Sequence, residues 1–164
     1  MRSSGPVVRR ARREDGPRII ELDRELARFE KLRPPDDEEA ARLLSWIFDS
    51  EKLEALVAEL DGAVEGIALF YEGFGSFRAR PFLYLEDLVV SEDARSRGVG
   101  EALMAALARE TLTRNALRLE WVVLDWNGRA MHFYDRLGAR RPPDWIKHTL
   151  EGDALEKVAR LRTS

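Results

Sequence analysis

The sequence predicts an α/β (α+β) fold in which a mixed β-sheet is flanked by helices on both faces. The chain has 164 residues, of which 45% are hydrophobic, and that is enough apolar material for one domain over residues 1–164. Early in the chain an Asp-Gly pair separates two apolar runs, which is typical of an antiparallel hairpin. Later, strand-like and helix-like segments alternate, as they do where helices connect neighbouring strands.

One strand and two helices are predicted before the hairpin. Residues 6–12 begin with β-branched side chains and suit a first strand. Asp15 is a candidate N-cap of a helix whose apolar stripe continues to Phe29 and which ends near Pro34. Asp36 begins a second helix, because acidic residues fill its first turn and apolar residues then recur at helical spacing.

The hairpin comes next. Residues 55–60 and 64–71 are apolar runs on either side of Asp61-Gly62, a pair that favours a tight turn. Gly73 and Gly75 then indicate a loop, because glycines punctuate strands.

The remaining segments alternate between extended and helical patterns. The predicted strands are short apolar runs, and the predicted helices carry apolar residues at i, i+3 and i+4. They are a strand at 82–90, a helix after Gly98 and Gly100, a strand at 117–124, a helix capped by Asn127 that runs to Leu137, a strand at 145–150 and a helix at 153–161.

Composition excludes several classes of protein. The chain has no cysteine and two histidines, which excludes disulfide scaffolds, thiolate metal sites and a histidine-rich metal centre, so no metal is expected. With 27 basic and 30 acidic residues the net charge is −3, which argues against nucleic acid as a partner. No apolar run is long enough for a membrane helix, and no signal-peptide core follows Met1. We therefore expect a soluble, cytoplasmic protein.

The segment Arg95-Ser96-Arg97-Gly98-Val99-Gly100 lies between a predicted strand and a predicted helix. Missing side chains at Gly98 and Gly100 let a ligand approach the backbone, and the helix that follows directs its N–H groups toward an anion. A pyrophosphate would suit this geometry, with added charge from Arg95 and Arg97. Taken alone, two glycines in a loop more often form a plain turn.

A second segment, from Asn127 to Tyr134, also joins a strand end to a helix start. Ala130, Phe133, Tyr134 and Leu137 fall at helical spacing, so Tyr134 lies on the inward face of the helix. Periodicity alone favours a tyrosine at the edge of the core over a catalytic one.

Together the two segments resemble the acetyl-CoA-binding signatures of the GNAT acetyltransferase superfamily. Arg95-x-x-Gly98-x-Gly100 matches its pyrophosphate loop, and Asn127-x-x-Ala130-x-x-x-Tyr134 is similar to its second cofactor motif. The segment from Val8 to Asp15 resembles the usual opening of the family. The resemblance therefore spans nearly the whole chain and implies the GNAT acyl-CoA N-acyltransferase fold.

A narrower resemblance points to the diamine (spermidine/spermine) and thialysine acetyltransferases. The run Leu83-Tyr84-Leu85-Glu86-Asp87-Leu88-Val89-Val90 and the run Glu25-Leu26-Ala27-Arg28-Phe29-Glu30 are both similar to that branch. Ser96 departs from it, because a glycine is common at that position. By resemblance to this branch we also expect a homodimer, with residues 145–161 as candidate contributors.

The resemblance implies direct transfer of an acetyl group from acetyl-CoA to an amine. Glu86 is the candidate base that removes the proton of the amine, and Tyr134 is the candidate donor to the departing thiolate. Glu86 could instead be a surface or salt-bridged carboxylate. The implied cofactor-binding residues are Leu88, Val89, Val90, Arg95, Ser96, Arg97, Gly98, Val99, Gly100, Glu101, Asn127, Arg129, Ala130 and Tyr134.

The acceptor is expected to be a small cationic amine, a diamine, a polyamine or a thialysine-like amino acid. Glu30, Glu86 and Asp87 would form a negative pocket, and Phe29 would provide a wall. Glu30 could instead be an exposed helix end, and Phe29 could belong to the core. Acetylation of a protein or peptide amine and non-catalytic binding of acyl-CoA as a sensor remain alternative functions.

Overall fold

A computed structural model describes residues 5–161 of the chain. The described chain divides into two compact units, one that ends at Leu124 and one that begins at Asp125. The first unit contains β1 (Val7–Arg10), α1 (Gly16–Phe29), α2 (Asp37–Phe48), β2 (Glu54–Leu60), β3 (Ala63–Gly75), β4 (Arg80–Val90), α3 (Val99–Thr113) and β5 (Leu119–Glu120). The second unit contains α4 (Gly128–Arg136) and α5 (Gly152–Ala159). One domain over residues 1–164 stays a prediction.

The first unit is built on one sheet with the strand order β1-β2-β3-β4-β5. Strands β1 to β4 are antiparallel to their neighbours, and β5 is parallel to β4, so the sheet is mixed as the sequence predicts. The turn between β2 and β3 has φ of 52° at Asp61 and 85° at Gly62, as a tight two-residue hairpin requires. The predicted hairpin is therefore confirmed.

Helices cover both faces of this sheet, because successive residues of β3 point to opposite sides. Ile67 is buried with Ile19 and Leu22 of α1. The neighbouring Gly66 faces α3 instead, since a Cβ built on it would lie 2.6 Å from Cγ1 of Val99. The prediction of a mixed sheet flanked by helices is confirmed.

A β-bulge interrupts the ladder between β3 and β4. Leu69 pairs with Asp87, whereas the next residue, Phe70, pairs with Leu85, so Glu86 is the extra residue. The alternation of side chains shifts at this point. Asp87 consequently lies on the α1 face with Ile67 and Leu69, whereas Leu85 lies on the α3 face with Phe70.

Two strand predictions differ from the structure in length. Gly73 and Gly75 belong to β3 and not to a loop, because the ring of Phe82 from β4 packs over Gly73, where a Cβ would be 2.3 Å from Cζ. The strand predicted at 117–124 is reduced to Leu119–Glu120, which pairs with β4 only before the bulge at Glu86. The ladder with β5 ends at Tyr84, just before the bulge, and bulges typically bend the strand that contains them.

The strand predicted at 145–150 is absent from the structure. These residues have no ladder partner within residues 5–161, and Trp145 and Ile146 are 83% and 79% exposed. An apolar run becomes a strand only where a neighbouring backbone accepts its hydrogen bonds. The helix predicted at 153–161 is confirmed as α5.

Helix starts were predicted with mixed success. Asp36 caps α2 as expected, since its carboxylate accepts from the N–H of Glu39, whose side chain accepts from the N–H of Asp36 in return. Asp15 occupies the residue before α1 but makes no side-chain cap bond. Its carboxylate instead accepts from Arg9 and from the N–H of Arg12, so the competing ion pair prevents capping.

None of the helices within residues 5–161 has both the length and the apolar character needed to cross a bilayer.

Candidate active site

The loop between β4 and α3 has the backbone geometry of an anion-binding site. Ser96 has a φ of 61° and Gly98 a φ of 82°, so two residues of the loop adopt left-handed conformations. Gly98 is the N-cap of α3 and provides no side chain to cap it. The first N–H groups of a helix have no partner inside the helix, and together with the helix dipole they attract negative charge. The residues predicted from Arg95 to Glu101 therefore form one continuous turn into α3.

Contacts to β3 and α1 hold the start of this loop. Ser91, directly after β4, is buried, and its N–H donates to the carbonyl of Glu65 at 2.8 Å. The hydroxyl of Ser91 donates to the carboxylate of Glu65. Arg18 of α1 donates to the same carboxylate at 3.2 Å and to the carbonyl of Val64 at 2.9 Å. The entry of the loop is thus tied to the sheet and to α1.

The end of β4 has one open edge. Leu88, Val89 and Val90 pair with β3, but the described ladder between β4 and β5 contains only the pairs of Leu83 and Tyr84. Past the bulge at Glu86, the edge of β4 that faces away from β3 therefore has no strand partner within residues 5–161. Backbone groups on such an edge are available to pair with an extended ligand.

Four carboxyl groups lie together on the α1 face of the sheet beside the bulge. We call Asp23, Glu30, Glu86 and Asp87 the acidic strip. Burial, followed by the charges of Asp23, Glu86 and Glu30, raises the pKa of Asp87 from its ordinary 3.8 to about 7. Burial also raises the pKa of Asp23 and of Glu30. The structure thus brings together the predicted acceptor residues Glu30, Glu86 and Asp87.

The acidic strip lacks close ion pairs with arginine among the described residues, although the charge of Arg24 opposes the rise in the pKa of Asp23. Carboxylates elsewhere in the first unit form many ion pairs, such as those of Glu54 with Arg10 and Arg114. Within residues 5–161, no ion pair with lysine or arginine includes a member of the acidic strip. An unneutralised group of carboxyls costs stability, and a cationic ligand would relieve that cost.

Two tyrosines extend this surface along the sheet. Tyr71 and Tyr84 are a cross-strand pair with ring centroids 5.2 Å apart, and Glu120 pairs with Tyr84 from β5. Burial and then the charge of Glu86 raise the pKa of both phenols, with a further contribution from Glu120. Aromatic faces beside carboxylates suit the methylene chain and the charge of an organic cation.

Sequence reasoning missed part of this surface. Asp23 precedes Glu30 by seven residues, and that spacing places both on one helix face, so Asp23 could have been found from the helical period. Tyr71 and Glu120 could not, because their position beside Glu86 depends on strand pairing. The sequence is compatible with Phe29 as a pocket wall or as a core residue, and its side chain is 44% exposed in the structure, so it is not a core residue.

The second unit contains the remaining predicted residues. Oδ1 of Asn127 accepts from the N–H of Ala130 at 3.1 Å and so caps α4, which leaves the amide NH₂ of Asn127 for a ligand. Arg129 lies in the exposed first turn of α4. Tyr134 is on the same helix, its ring centroid 5.1 Å from that of Phe133, and burial raises its pKa to about 12. A phenol with that pKa stays protonated at neutral pH, as a proton donor must.

Within residues 5–161, no three His, Asp or Glu side chains are grouped so that they could hold a metal ion.

The chain is similar to known proteins. The profile of the acetyltransferase (GNAT) family matches residues 17–139, more than half of the chain. The thialysine N-epsilon-acetyltransferase of Bos taurus is 32% identical over 166 aligned positions, covering 93% of this chain and 96% of that protein. The L-ornithine N5-acetyltransferase of Arabidopsis thaliana is 37% identical over 101 positions, but this match covers 62% of this chain and only 44% of that protein.

Among solved structures, an integron cassette protein from the mobile metagenome of V. cholerae has a TM-score of 0.82 and 27% identity. It covers 96% of this chain and 99% of its own length. Shared sequence over most of the chain, together with the same architecture, places this protein in a known group. The chain belongs to the GNAT acetyltransferase family, with relatives named as thialysine acetyltransferases.

Proposed function

We propose that this protein transfers the acetyl group of acetyl-CoA directly to a primary amine of a small cationic acceptor, such as a diamine, a polyamine or a thialysine-like amino acid. Acetyl-CoA is the co-substrate of GNAT acetyltransferases. The observation that carries the choice of acceptor is the acidic strip beside the bulge of β4, in which Asp23, Glu30 and Asp87 are half-buried and Glu86 is exposed. Within residues 5–161 none of the four forms an ion pair with lysine or arginine. The names of the bovine and Arabidopsis relatives, which act on amines, are consistent with it.

The cofactor half of the proposal rests on two features of the first unit. The N–H groups from Ser96 to Glu101 at the start of α3 would hold the pyrophosphate, with Arg95 and Arg97 adding positive charge. The open edge at Leu88, Val89 and Val90 would pair with the amide groups of the pantetheine arm. In the second unit, the NH₂ of Asn127 and the first turn of α4 at Arg129 and Ala130 would provide further polar contacts.

The proposed reaction transfers one acetyl group and two protons. A primary amine has a pKa near 10.4 by comparison with lysine and is protonated at neutral pH. Glu86 would accept that proton, directly or through water, and the amine nitrogen would then bond to the thioester carbonyl carbon. The carbon–sulfur bond breaks, and Tyr134 would donate its proton to the departing thiolate. The nitrogen would release its second proton as the amide forms, and that proton would return through water to the Tyr134 phenolate. The chain has no cysteine, so it cannot form an acetyl-cysteine, and this supports direct transfer.

The acidic strip would bind the acceptor through its charge. Asp87 and Glu30 attract the ammonium groups, and the rings of Tyr71 and Tyr84 lie beside the apolar methylenes between them. A diamine or a lysine-like amine has two cationic or polar ends, whereas a simple alkylamine has one. We therefore expect the former to have the higher kcat/KM.

The experiment measures CoA release from acetyl-CoA with a thiol reagent across a panel of amines. The panel contains putrescine, spermidine, spermine, lysine, ornithine, thialysine, butylamine as the singly charged control, and a short peptide. The protein contributes no thiol of its own to the signal. Turnover of diamines or thialysine well above that of butylamine supports the proposal. Turnover with the peptide alone would favour a protein acetyltransferase, and binding of acetyl-CoA without turnover would favour a sensor.

A further inference from the structure

One arginine of the loop before α3 is already ion-paired within the protein. Nη2 of Arg97 lies 2.5 Å from Oδ2 of Asp61, which belongs to the turn between β2 and β3. The two side chains are 46% and 54% exposed, so a ligand can reach the pair from solvent. The contact joins the loop proposed to bind the pyrophosphate to a hairpin on the same sheet.

The hairpin fixes the position of Asp61. Its φ of 52° and the φ of 85° at Gly62 define a tight turn, and Leu60 pairs with Ala63 directly beside it. The carboxylate is therefore carried by a short, hydrogen-bonded turn and not by a long loop. Arg97, in contrast, lies in the segment between a 3-10 turn at Glu92–Ala94 and the start of α3.

We propose that Asp61 is an internal counter-ion of Arg97 that weakens the binding of the diphosphate of CoA at this loop. The inference rests on the proposed function, because it assumes that the loop binds CoA. Asp61 touches Arg97 and not the reacting atoms, so it is a positioning residue. Its consequence is a lower affinity for both acetyl-CoA and the product CoA, which share the diphosphate.

Asp61 has two opposing effects on CoA binding, and the larger of the two decides whether its removal strengthens or weakens that binding. The ion pair restricts the side chain of Arg97, but half-exposed pairs contribute little to ordering a side chain. Repulsion between the carboxylate and a doubly charged diphosphate acts over a Debye length of about 8 Å at physiological salt. This repulsion is felt by the diphosphate because both anions approach the same guanidinium of Arg97. We therefore expect repulsion to dominate, so that removal of the carboxylate strengthens binding.

The test is the substitution Asp61→Asn. Asn-Gly is the pair that this kind of turn prefers, so the hairpin is retained. Calorimetric titration with CoA at low salt should show about a three- to tenfold lower Kd for the variant, with a gain that shrinks as salt rises. The matched control is Asp93→Asn, an exposed carboxylate near the loop for which the described residues provide no ion pair. It removes the same charge and should change Kd less than about twofold.

Repeating the Asp61→Asn substitution in an Arg97→Gln variant tests the contribution of the Asp61–Arg97 ion pair. In Arg97→Gln protein, Asp61→Asn should lower the Kd for CoA by a clearly smaller factor than in the native background, because repulsion of the diphosphate remains but the counter-ion no longer has a cation to neutralise. An unchanged or higher Kd for Asp61→Asn in the native background would overturn the inference and leave the proposed function intact. So would an equal gain in the Arg97→Gln background or in Asp93→Asn. Absence of CoA binding by the native protein would overturn the proposed function, and the inference with it.

Discussion

Asp87 is the residue at which stability and function oppose each other most clearly. Its carboxyl group lies on the α1 face of the sheet, where burial and the charges of Asp23, Glu86 and Glu30 raise its pKa to about 7. The folded protein loses stability when such a carboxyl ionises, and within residues 5–161 no arginine forms an ion pair with Asp87. Perturbed carboxyls of this kind are concentrated at binding and catalytic sites.

The first prediction concerns the stability of Asp87→Asn. The unfolded carboxyl ionises near its ordinary pKa of 3.8, whereas the folded one keeps its proton up to about pH 7. The folded state therefore loses stability as pH rises between these values, and the full loss is present above pH 7. We expect Asp87→Asn to raise Tm at pH 8 by at least about 2–4 °C, and by much less at pH 5. Asp93→Asn, an exposed control, should show no such pH dependence in the same thermal melts.

The second prediction concerns activity in the same variant. Ionised Asp87 attracts a cationic acceptor, so its contribution to kcat/KM appears as pH rises through about 7. The ratio of kcat/KM for native protein to that for Asp87→Asn should grow by about tenfold between pH 6 and pH 8, measured with a diamine. A ratio that stays constant over this range would show that ionisation of Asp87 does not contribute to capture of the acceptor. The KM for acetyl-CoA serves as the internal control and should not change.

The third prediction is that Tyr134→Phe separates chemistry from binding. The phenol has a pKa of about 12 because it is buried, so it is protonated at every working pH. Loss of a proton donor typically costs about 10²-fold or more in rate, and we expect kcat to fall by that amount. The Kd for acetyl-CoA, measured by calorimetry, should change little because the ring is kept. A variant with native kcat would remove Tyr134 from the mechanism.

At the level of elements, a small residue in β3 determines how closely α3 approaches the sheet. A Cβ on Gly66 would lie 2.6 Å from Cγ1 of Val99, 3.0 Å from Cδ1 of Leu103 and 3.2 Å from the carbonyl oxygen of Val89. Val99 is the first residue of α3, directly after the loop proposed to bind the pyrophosphate. Packing at Gly66 therefore positions the N-terminus of this helix.

The fourth prediction is that Gly66→Ala weakens both the fold and CoA binding. The methyl group forces α3 away from the sheet, and we expect a loss of about 1–3 kcal/mol in the free energy of unfolding. Kd for CoA should rise in parallel, because the start of α3 moves. Gly16→Ala is the matched control, since its new Cβ would meet only the side chain of Leu44, at 3.3 Å. Equal denaturation midpoints for the two variants would contradict this account of the packing.

The sequence could predict elements whose signals are local. The hairpin at Asp61-Gly62, the capped start of α2 and the helix after Gly98 all follow from neighbouring residues, and the structure has all three. The extension of β3 through Gly73 and the missing strand at 145–150 could not be predicted in this way. Whether an apolar segment forms a strand depends on a ladder partner that is distant in sequence, or on packing against a side chain such as the ring of Phe82.

The same division applies to the candidate site. Glu30, Glu86 and Asp87 were found through a family resemblance, and the loop from Arg95 to Glu101 through its glycines. The bulge at Glu86 is not visible in the sequence, yet it decides that Asp87 shares a face with α1. Without that register, neither Tyr71 nor Glu120 can be assigned to the surface of the acidic strip.

On the scale of the whole molecule, charge is locally unbalanced within a nearly neutral chain. The 27 basic and 30 acidic residues leave a net charge of only −3. Arginines take part in most ion pairs of the first unit, whereas the acidic strip has none within residues 5–161. A distant cation is therefore guided by the field of a local patch and not by the net charge. Raising ionic strength should for that reason reduce capture of the acceptor.

The fifth prediction is that the protein is a homodimer in solution. The second unit offers a surface for self-association. Trp145, Ile146 and Leu150 are exposed in a segment that is neither helix nor strand and has no ladder partner within residues 5–161. Apolar side chains and open backbone groups in one segment favour pairing with another chain. Sedimentation should give twice the 18.8 kDa mass of one chain.

A paired substitution tests which segment is responsible. The double variant Trp145→Ser, Ile146→Ser removes apolar surface that is exposed in a single chain. The fold should be retained, and the circular dichroism spectrum should match that of the native protein. If residues 145–150 form the contact, the double variant should sediment as a monomer because burial of these two side chains no longer contributes to association. Phe74→Ser, at an exposed position of β3, is the control and should sediment as the native protein does. A native protein that sediments as one chain would contradict the dimer itself, whereas a dimeric double variant would contradict only the role of this segment.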